Sequence, residues 1–120
     1  MGYIKRGNVS IVTATGGGAT EYSPPMNGRL VEIIYTKHGS NAFASTADFT
    51  ITTERDALAV LTVANVNAST AYRPIRKATT ATGAASTLTE VPIYLAEDRV
   101  KFVVAQGGNT KNGAFVVIVE

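Results

Sequence analysis

Apolar and polar residues alternate with a period of two along parts of the chain. In residues 48–53, Phe49 and Ile51 alternate with Asp and Thr, and residues 91–95 alternate Val, Ile and Leu with Pro and Tyr. A strand with one face in a core shows this period, because successive side chains point to opposite faces. Other apolar runs are short, continuous and rich in β-branched residues, which favours strands with both faces covered over helices. The pattern predicts about seven to eight strands, the clearest at residues 8–13, 30–35, 49–53, 57–63, 91–95, 100–104 and 115–119.

Residues 55–63 are the one segment in which a helix competes with a strand. Ala-Leu-Ala-Val-Leu follows a Glu-Arg-Asp cluster there, as at the start of a helix. Val60, Val63 and Val66 are β-branched and therefore poor helix formers, so we predict a strand.

Turn-forming residues separate the apolar runs. Asn27-Gly28, Glu97-Asp98, Asn112-Gly113 and the triplet at 16–18 supply turn chemistry or positive φ. We expect two long loops, at residues 15–26 and 64–90. Many short strands without a sustained helical segment predict an all-β fold, an antiparallel β-sandwich or jelly roll. The prediction is a single domain over residues 1–120, with residues 1–7 as an N-terminal arm.

Composition narrows the class of protein. The chain has 120 residues, 45% hydrophobic and 17% charged, which is too apolar for a disordered chain and enough for one core. A net charge of +2 is too small to predict nucleic-acid binding. There is no cysteine, so disulfides and thiolate metal sites are excluded. We find no apolar run long enough for a signal peptide or a membrane span, and therefore expect a protein made in a cytoplasm, without a membrane partner.

The glycine-rich segment 107–113, Gly-Gly-Asn-Thr-Lys-Asn-Gly, raises the question of a phosphate loop. A phosphate loop needs the spacing G-x-x-x-x-G-K-[ST] and a helix after it. Here Lys111 precedes the last glycine and a β-branched strand follows. We therefore interpret the segment as a hairpin turn that joins the strands at 100–104 and 115–119. The strand at 115–119 must itself pair, either within the sheet or with a neighbouring subunit.

Few residues have the setting of a catalytic or metal site. His38 is the one histidine, and it follows a predicted strand. A Ser-His-Asp catalytic triad would therefore have to use a residue at the start of a loop. Asp48, Asp56 and Asp98 lie in unrelated segments without calcium-loop spacing. Glu32 lies in an apolar strand, where it fits either a glycosidase carboxylate or a sheet-surface or interface role; the absence of a second carboxylate favours the latter. We predict no catalytic residue, no cofactor and no metal.

Several segments carry a resemblance to a known group of proteins. They are ALAVLTVANVNASTAYRPIRKATTATGAA, VPIYLAEDRVKFVVAQGGNTKNGAFVVIVE and, nearer the front, RLVEIIYTK, which together cover most of the chain. Within them are Tyr72-Arg73-Pro74 after an Asn-rich turn, the run AEDRVK at 96–101 and GGNTKNGAF at 107–115. These features resemble small virion proteins of tailed bacteriophages, which include head decoration, or cement, proteins.

The resemblance implies a role and an assembly, but no catalytic or ligand site. It implies a β-sandwich, often a homotrimer, that is assembled in the host cytoplasm and located on the capsid surface of the virion. The partner would be the major capsid protein, whose subunit joints the sandwich would stabilise. We predict contacts from the arm and the long loops. The candidate contact residues are Tyr3, Lys5, Arg6, Tyr22, Phe43, Tyr72 and Arg73.

Two other functions remain open from sequence. One is a carbohydrate-binding module, in which Tyr22, Phe43 and Tyr72 would stack on sugar rings; such modules usually expose aromatic residues, and this chain has no Trp. The other is a tail or connector component of the virion. We expect glycan binding to be absent.

Overall fold

In the residues that the structure describes, all the secondary-structure elements are β-strands, joined by turns and loops. The structure is a computed structural model that describes residues 4–79 and 81–120, apart from the side chains of 77, 78 and 86–89. Within those residues there is no helix, and hence none that could cross a membrane. The strands are β1 Lys5–Val12, β2 Ala19–Tyr22, β3 Met26–Lys37, β4 Asp48–Thr53, β5 Ala59–Val63, β6 Thr70–Tyr72, β7 Arg76–Thr79, β8 Ala85–Val91, β9 Ile93–Asp98, β10 Val100–Ala105 and β11 Asn112–Val119.

The strands form two packed antiparallel sheets and one separate hairpin. The first sheet has the order β1-β11-β3, with both β6 and β9 on the free side of β3. The second sheet has the order β2-β10-β4-β5, and β7 pairs only with β8. The predicted all-β sandwich is confirmed. The described strands number eleven rather than seven to eight, since β2, β6, β7 and β8 lie inside the two predicted long loops.

Alternate side chains of the two sheets meet in an aromatic core. Phe115 of β11 lies 5.2 Å from Tyr35, 5.0 Å from Phe49 and 4.6 Å from Phe102, measured between ring centroids. Tilted and edge-to-face rings at these distances attract beyond their buried area. Burial raises the pKa of the Tyr35 hydroxyl, with a further contribution from Tyr72. Because β11 is central in its sheet and supplies Phe115, it organises the core.

Strand β11 pairs on both sides, as expected for the strand at 115–119. It is flanked by β1 and β3, and Lys5 of β1 lies opposite Val119. Residues 5–7 of the predicted N-terminal arm therefore lie on the domain itself, as part of the sheet. The physical reason is that without β1 the backbone groups along one side of β11 would lack partners. Residues 1–3 lie outside the described part of the chain.

The predicted hairpin between β10 and β11 is wrong. Strand β10 belongs to the second sheet and β11 to the first, so residues 106–111 cross from one sheet to the other. The crossing is held by the buried Thr13 hydroxyl, which donates to Gly108 O at 2.6 Å and accepts from Lys111 N at 2.7 Å. Gly113 lies inside β11, where a Cβ would collide with the ring of Phe43. Glycine occurs at position 113 because the Phe43 ring packs closely against it, and not because the chain turns there.

Two short strands, β6 and β9, pair with the side of β3 that β11 leaves free. Tyr72 of β6 lies opposite Ile33, and Ile93 of β9 lies opposite Leu30, so β6 and β9 run along β3 one after the other. Residues 73–92, which include the β7–β8 hairpin, leave the sheet between them. The hairpin is therefore an insertion into an edge strand.

Candidate functional site

The two outer faces of the sandwich differ in polarity. The second sheet presents four threonines to the outside, as suits a solvated antiparallel sheet. Its outward residues are Thr20, Thr50, Thr52 and Thr62, the charged Asp48 and Lys101, the apolar Ala59, Val103 and Ala105, and Tyr22 at the edge. On the first sheet, by contrast, the outward residues of β11 after Asn112 are Ala114, Val116 and Ile118, which are half-buried.

The apolar character of the first sheet extends across three strands. Ile34 of β3 lies opposite Val116, and Ala71 of β6 lies opposite Ile34. We call these five residues the outer apolar face: Ile34, Ala71, Ala114, Val116 and Ile118. Polar residues lie beside this set on the same face: Asn8 is opposite Val116, and Ser10 and Thr36 are opposite Ala114. The apolar set is therefore a stripe along β11 and the middle of β3, and it is larger than a solvated sheet face usually carries.

Charged residues border the outer apolar face at one end. Arg6 of β1 and Glu32 of β3 both lie opposite Ile118, on either side of it. Arg73 pairs with Glu32 at 3.2 Å, and the Arg73 side chain is mostly exposed. An apolar centre with charges at its rim is the usual anatomy of a protein–protein interface. Glu32 therefore takes the sheet-surface position, the second of the two roles considered for it.

The other end of the same face opens into a shallow depression of about 350 Å³, lined by Ser10, Val12, Thr36, His38, Asn112 and Ala114 among others. His38 cannot use its Nδ1 atom as a catalytic base there, because that nitrogen accepts the backbone N–H of Asn41 at 2.9 Å and that of Ser40 at 3.2 Å. The imidazole instead closes the turn after β3.

A second exposed surface lies where the β7–β8 hairpin leaves the sandwich. It is an open groove of about 720 Å³ between the hairpin and the sandwich edge. Ile75 and Val91 line it from the hairpin side, and Leu58 and Tyr94 from the sandwich side. Tyr94 is 70% exposed and Ile75 55% exposed, which is unusual for side chains of this size clustered together. We call this surface the hairpin groove.

The structure brings together only two of the predicted contact residues, Arg6 and Arg73, both at the rim of the outer apolar face. Tyr22 lies on the opposite face of the sandwich, where the Arg99 guanidinium stands 4.2 Å from its ring centroid. Lys5 Nζ donates to Asn27 O at 3.1 Å. Tyr3 lies outside the described residues.

Two predicted contact residues pack against the core. Phe43 is 3% exposed and stacks parallel to Tyr35, so its assignment as a surface contact is wrong. Phe43 lies in the loop between β3 and β4, as predicted, but its ring fills the space beside Gly113. Tyr72 is half-buried and packs against the core from β6. Of the three rings proposed to stack on sugars, the Phe43 ring is therefore buried and the Tyr72 ring is partly buried.

Arg99 links the corner between the two sheets to the end of β4. Its Nε donates to Glu54 Oε1 at 2.9 Å and its Nη2 contacts Glu54 Oε2. The hydrogen bond from Arg99 lowers the pKa of the Glu54 carboxyl below its usual value. Because both groups are at the surface, we interpret this pair as support for the corner rather than as a catalytic site.

No cluster of three or more His, Asp or Glu side chains that could hold a metal ion occurs among residues 4–79 and 81–120. The outer apolar face was not predicted from the sequence, although the apolar run at 115–119 indicates it. The run at 115–119 is apolar at every position, which predicted two covered faces, and the structure shows that the second sheet covers only one of them.

No family model matches the chain, and comparison with curated proteins and with solved structures found no match either.

Proposed function

We propose that this chain is a non-enzymatic structural protein that binds other protein subunits through its outer apolar face. The observation that carries the proposal is the contrast between the threonine-rich outside of the second sheet and the apolar outward residues of β11, Ala114, Val116 and Ile118, on the first. Burial of exposed apolar area is the main driving force of protein association. An apolar stripe on an open sheet face therefore fits a binding module better than an enzyme cleft.

The resemblance to small virion proteins makes the proposal more specific. We infer a capsid decoration, or cement, protein that attaches to the major capsid protein on the outer surface of a tailed bacteriophage, as a homotrimer. The outer apolar face would lie against the shell, and Arg6 and Arg73 at its rim would fix its orientation. Several such faces in one oligomer would bind different capsid subunits at once and add through effective concentration.

The proposal predicts that the protein raises the resistance of capsids to heat. A protein that binds only the assembled shell stabilises it by about 2.7 kcal/mol per site at a free concentration of 100 times Kd. Stripped capsids should melt at a lower temperature than decorated ones, and the purified protein should restore the loss in a concentration-dependent way. Differential scanning calorimetry and co-sedimentation measure the two effects.

A pair of matched variants locates the binding face. Val116→Glu places a charge in the outer apolar face and should abolish co-sedimentation, whereas Thr50→Glu places the same charge on the polar face and should leave it unchanged. Circular dichroism checks that both variants fold. If the wild-type protein neither binds capsids nor protects them, the capsid role is wrong and a tail or connector position becomes the leading alternative.

A further inference from the structure

The ring of His38 closes the turn after β3 by accepting hydrogen bonds. Its Nδ1 atom accepts the backbone N–H of Asn41 at 2.9 Å and that of Ser40 at 3.2 Å. A ring nitrogen that accepts a hydrogen bond carries no proton, so the neutral imidazole holds its proton on Nε2. A proton added on Nδ1 would place one N–H group against two others. The turn in this form therefore requires the neutral ring.

Asn41 connects this turn to the segment that crosses between the two sheets. Its backbone oxygen accepts the N–H of Asn112 at 2.8 Å, and its Nδ2 donates to Thr110 O at 3.0 Å. The Lys111 ammonium donates to Asn41 Oδ1 at 3.3 Å. The position of Asn41 therefore supports residues 110–112, which lead into β11 and so to one end of the outer apolar face.

The charged groups at this end of the sheet are cationic. Among the described residues that line the depression, Lys37 is the one charged side chain besides His38, and none is a carboxylate. Lys37 Nζ is held by Asn67 O at 2.9 Å, and Lys111 contacts Asn41 from the crossing segment. An imidazolium ion at His38 would thus add a third positive charge to this end, without an acidic partner among the lining residues.

We propose that His38 is a pH-sensitive latch, meaning that the neutral ring holds the 38–41 turn on residues 110–112 and the protonated ring releases it. Imidazole titrates within about pH 5–8, so mild acidification would open the latch. The turn is stabilised above this range, and the stabilisation is lost as the pH falls through it, because the proton binds only to the released form of the ring.

The latch would also regulate the binding face, and this part rests on the proposed function. Ala114 belongs to the outer apolar face and lines the depression beside His38. Release of residues 110–112 would loosen the start of β11 and with it this end of the face. The protein would therefore hold its protein partner at neutral pH and bind it more weakly in mild acid.

Two substitutions separate the hydrogen-bond acceptor from the titration. His38→Asn supplies a side-chain oxygen that can accept the same backbone N–H groups, as in an Asx turn, and that does not titrate. His38→Ala removes the acceptor at every pH. It should therefore behave at neutral pH as the wild type does in acid. Circular dichroism confirms that both variants fold.

Amide hydrogen exchange of the chain alone, followed by NMR at about pH 7.5 and about pH 5.5, measures the latch on both sides of the imidazole titration. After correction for intrinsic exchange, protection of the Asn41 and Asn112 N–H groups in the wild type should fall about three- to tenfold at the lower pH, the factor for one net hydrogen bond. Protection should stay constant in His38→Asn and be low at both pH values in His38→Ala. An equal fall in the wild type and His38→Asn, or full protection in His38→Ala at the higher pH, would overturn the proposal.

The ring-nitrogen chemical shifts of His38 report its protonation in the wild type itself. Loss of protection should follow the same titration curve as these shifts, and loss at a different pH would also overturn the latch.

Co-sedimentation with capsids at the same two pH values tests the regulatory part. The wild type should bind more weakly at the lower pH, whereas His38→Asn should bind equally at both. The same loss of binding in both proteins would overturn the regulatory part. Absence of binding at either pH would contradict the proposed function, and the exchange measurements on the chain alone would still decide the latch.

Discussion

Phe115→Ala should lower the free energy of unfolding by about 3–5 kcal/mol, the range for removing a fully buried aromatic ring. The Phe115 ring is 1% exposed and lies within 5.2 Å, between centroids, of Tyr35, Phe49 and Phe102. Its loss leaves a cavity between the two sheets that the strands on either side of β11 prevent from closing. For a domain of ordinary stability this is a large share of the total.

Urea unfolding followed by circular dichroism measures the effect. Val116→Ala on the same strand is the matched control, because Val116 points to the outer apolar face and is only half-buried. That change should cost about 1 kcal/mol or less, since little buried area is lost. Equal losses in the two variants would mean that the assignment of inner and outer faces along β11 is wrong.

Gly28→Ala should cost about 2–6 kcal/mol, the sum of a backbone term and a steric term that are each about 1–3 kcal/mol. Gly28 has φ 126°, a conformation that side chains rarely adopt. A Cβ at this position would collide with the carbonyl oxygen of Glu120 and stand 3.1 Å from Val119 Cγ1. The carbonyl oxygen is fixed, because it accepts the backbone N–H of Arg29 at 2.9 Å.

Gly16→Ala is the control for this second change. Gly16 does not have positive φ, and a Cβ there would meet no atom within 4 Å. We expect its effect to stay within about 0.5 kcal/mol, as for most surface substitutions. If Gly28→Ala unfolded at the wild-type urea concentration, the close approach of β3 to residue 120 would be contradicted.

The strands of the core were predictable from sequence because their signals are local. The segments at 30–35, 100–104 and 115–119 are apolar and β-branched, and each lies within a strand. The four strands that were missed contain few large apolar residues, as in β2, Ala19–Tyr22. Their sequences therefore show no period of two, and pairing of their backbone groups with neighbouring strands favours them instead.

Which sheet a strand joins was not predictable. Asn112-Gly113 and Asn27-Gly28 have the composition of hairpin turns, yet both pairs lie within or at the start of strands. In each pair the glycine is required by close approach, of the Phe43 ring in one case and of Glu120 in the other. A dipeptide signal does not distinguish a turn from a tight packing position, because glycine serves both.

The candidate surfaces depend on register as well as on composition. The sequence of β11 shows that both of its faces are apolar, but not which face the second sheet covers. The pairing of Val116 with Ile34, and of Ile34 with Ala71, is needed before an apolar face across three strands can be recognised. The hairpin groove exists because the β7–β8 hairpin lies between β6 and β9 along the chain. No sequence pattern in residues 73–92 predicts that this segment leaves the sheet.

Electron microscopy of virions with a gold-labelled antibody against this chain, followed by reconstruction of the labelled region, tests the central claim most directly. The proposed function predicts label over the whole capsid surface and none on the tail. It also predicts a sandwich in the density whose outer apolar face, with Val116 at its centre, is turned towards the shell. Label confined to the tail or connector, particles without label, or a sandwich with its threonine-rich face on the shell would contradict the account.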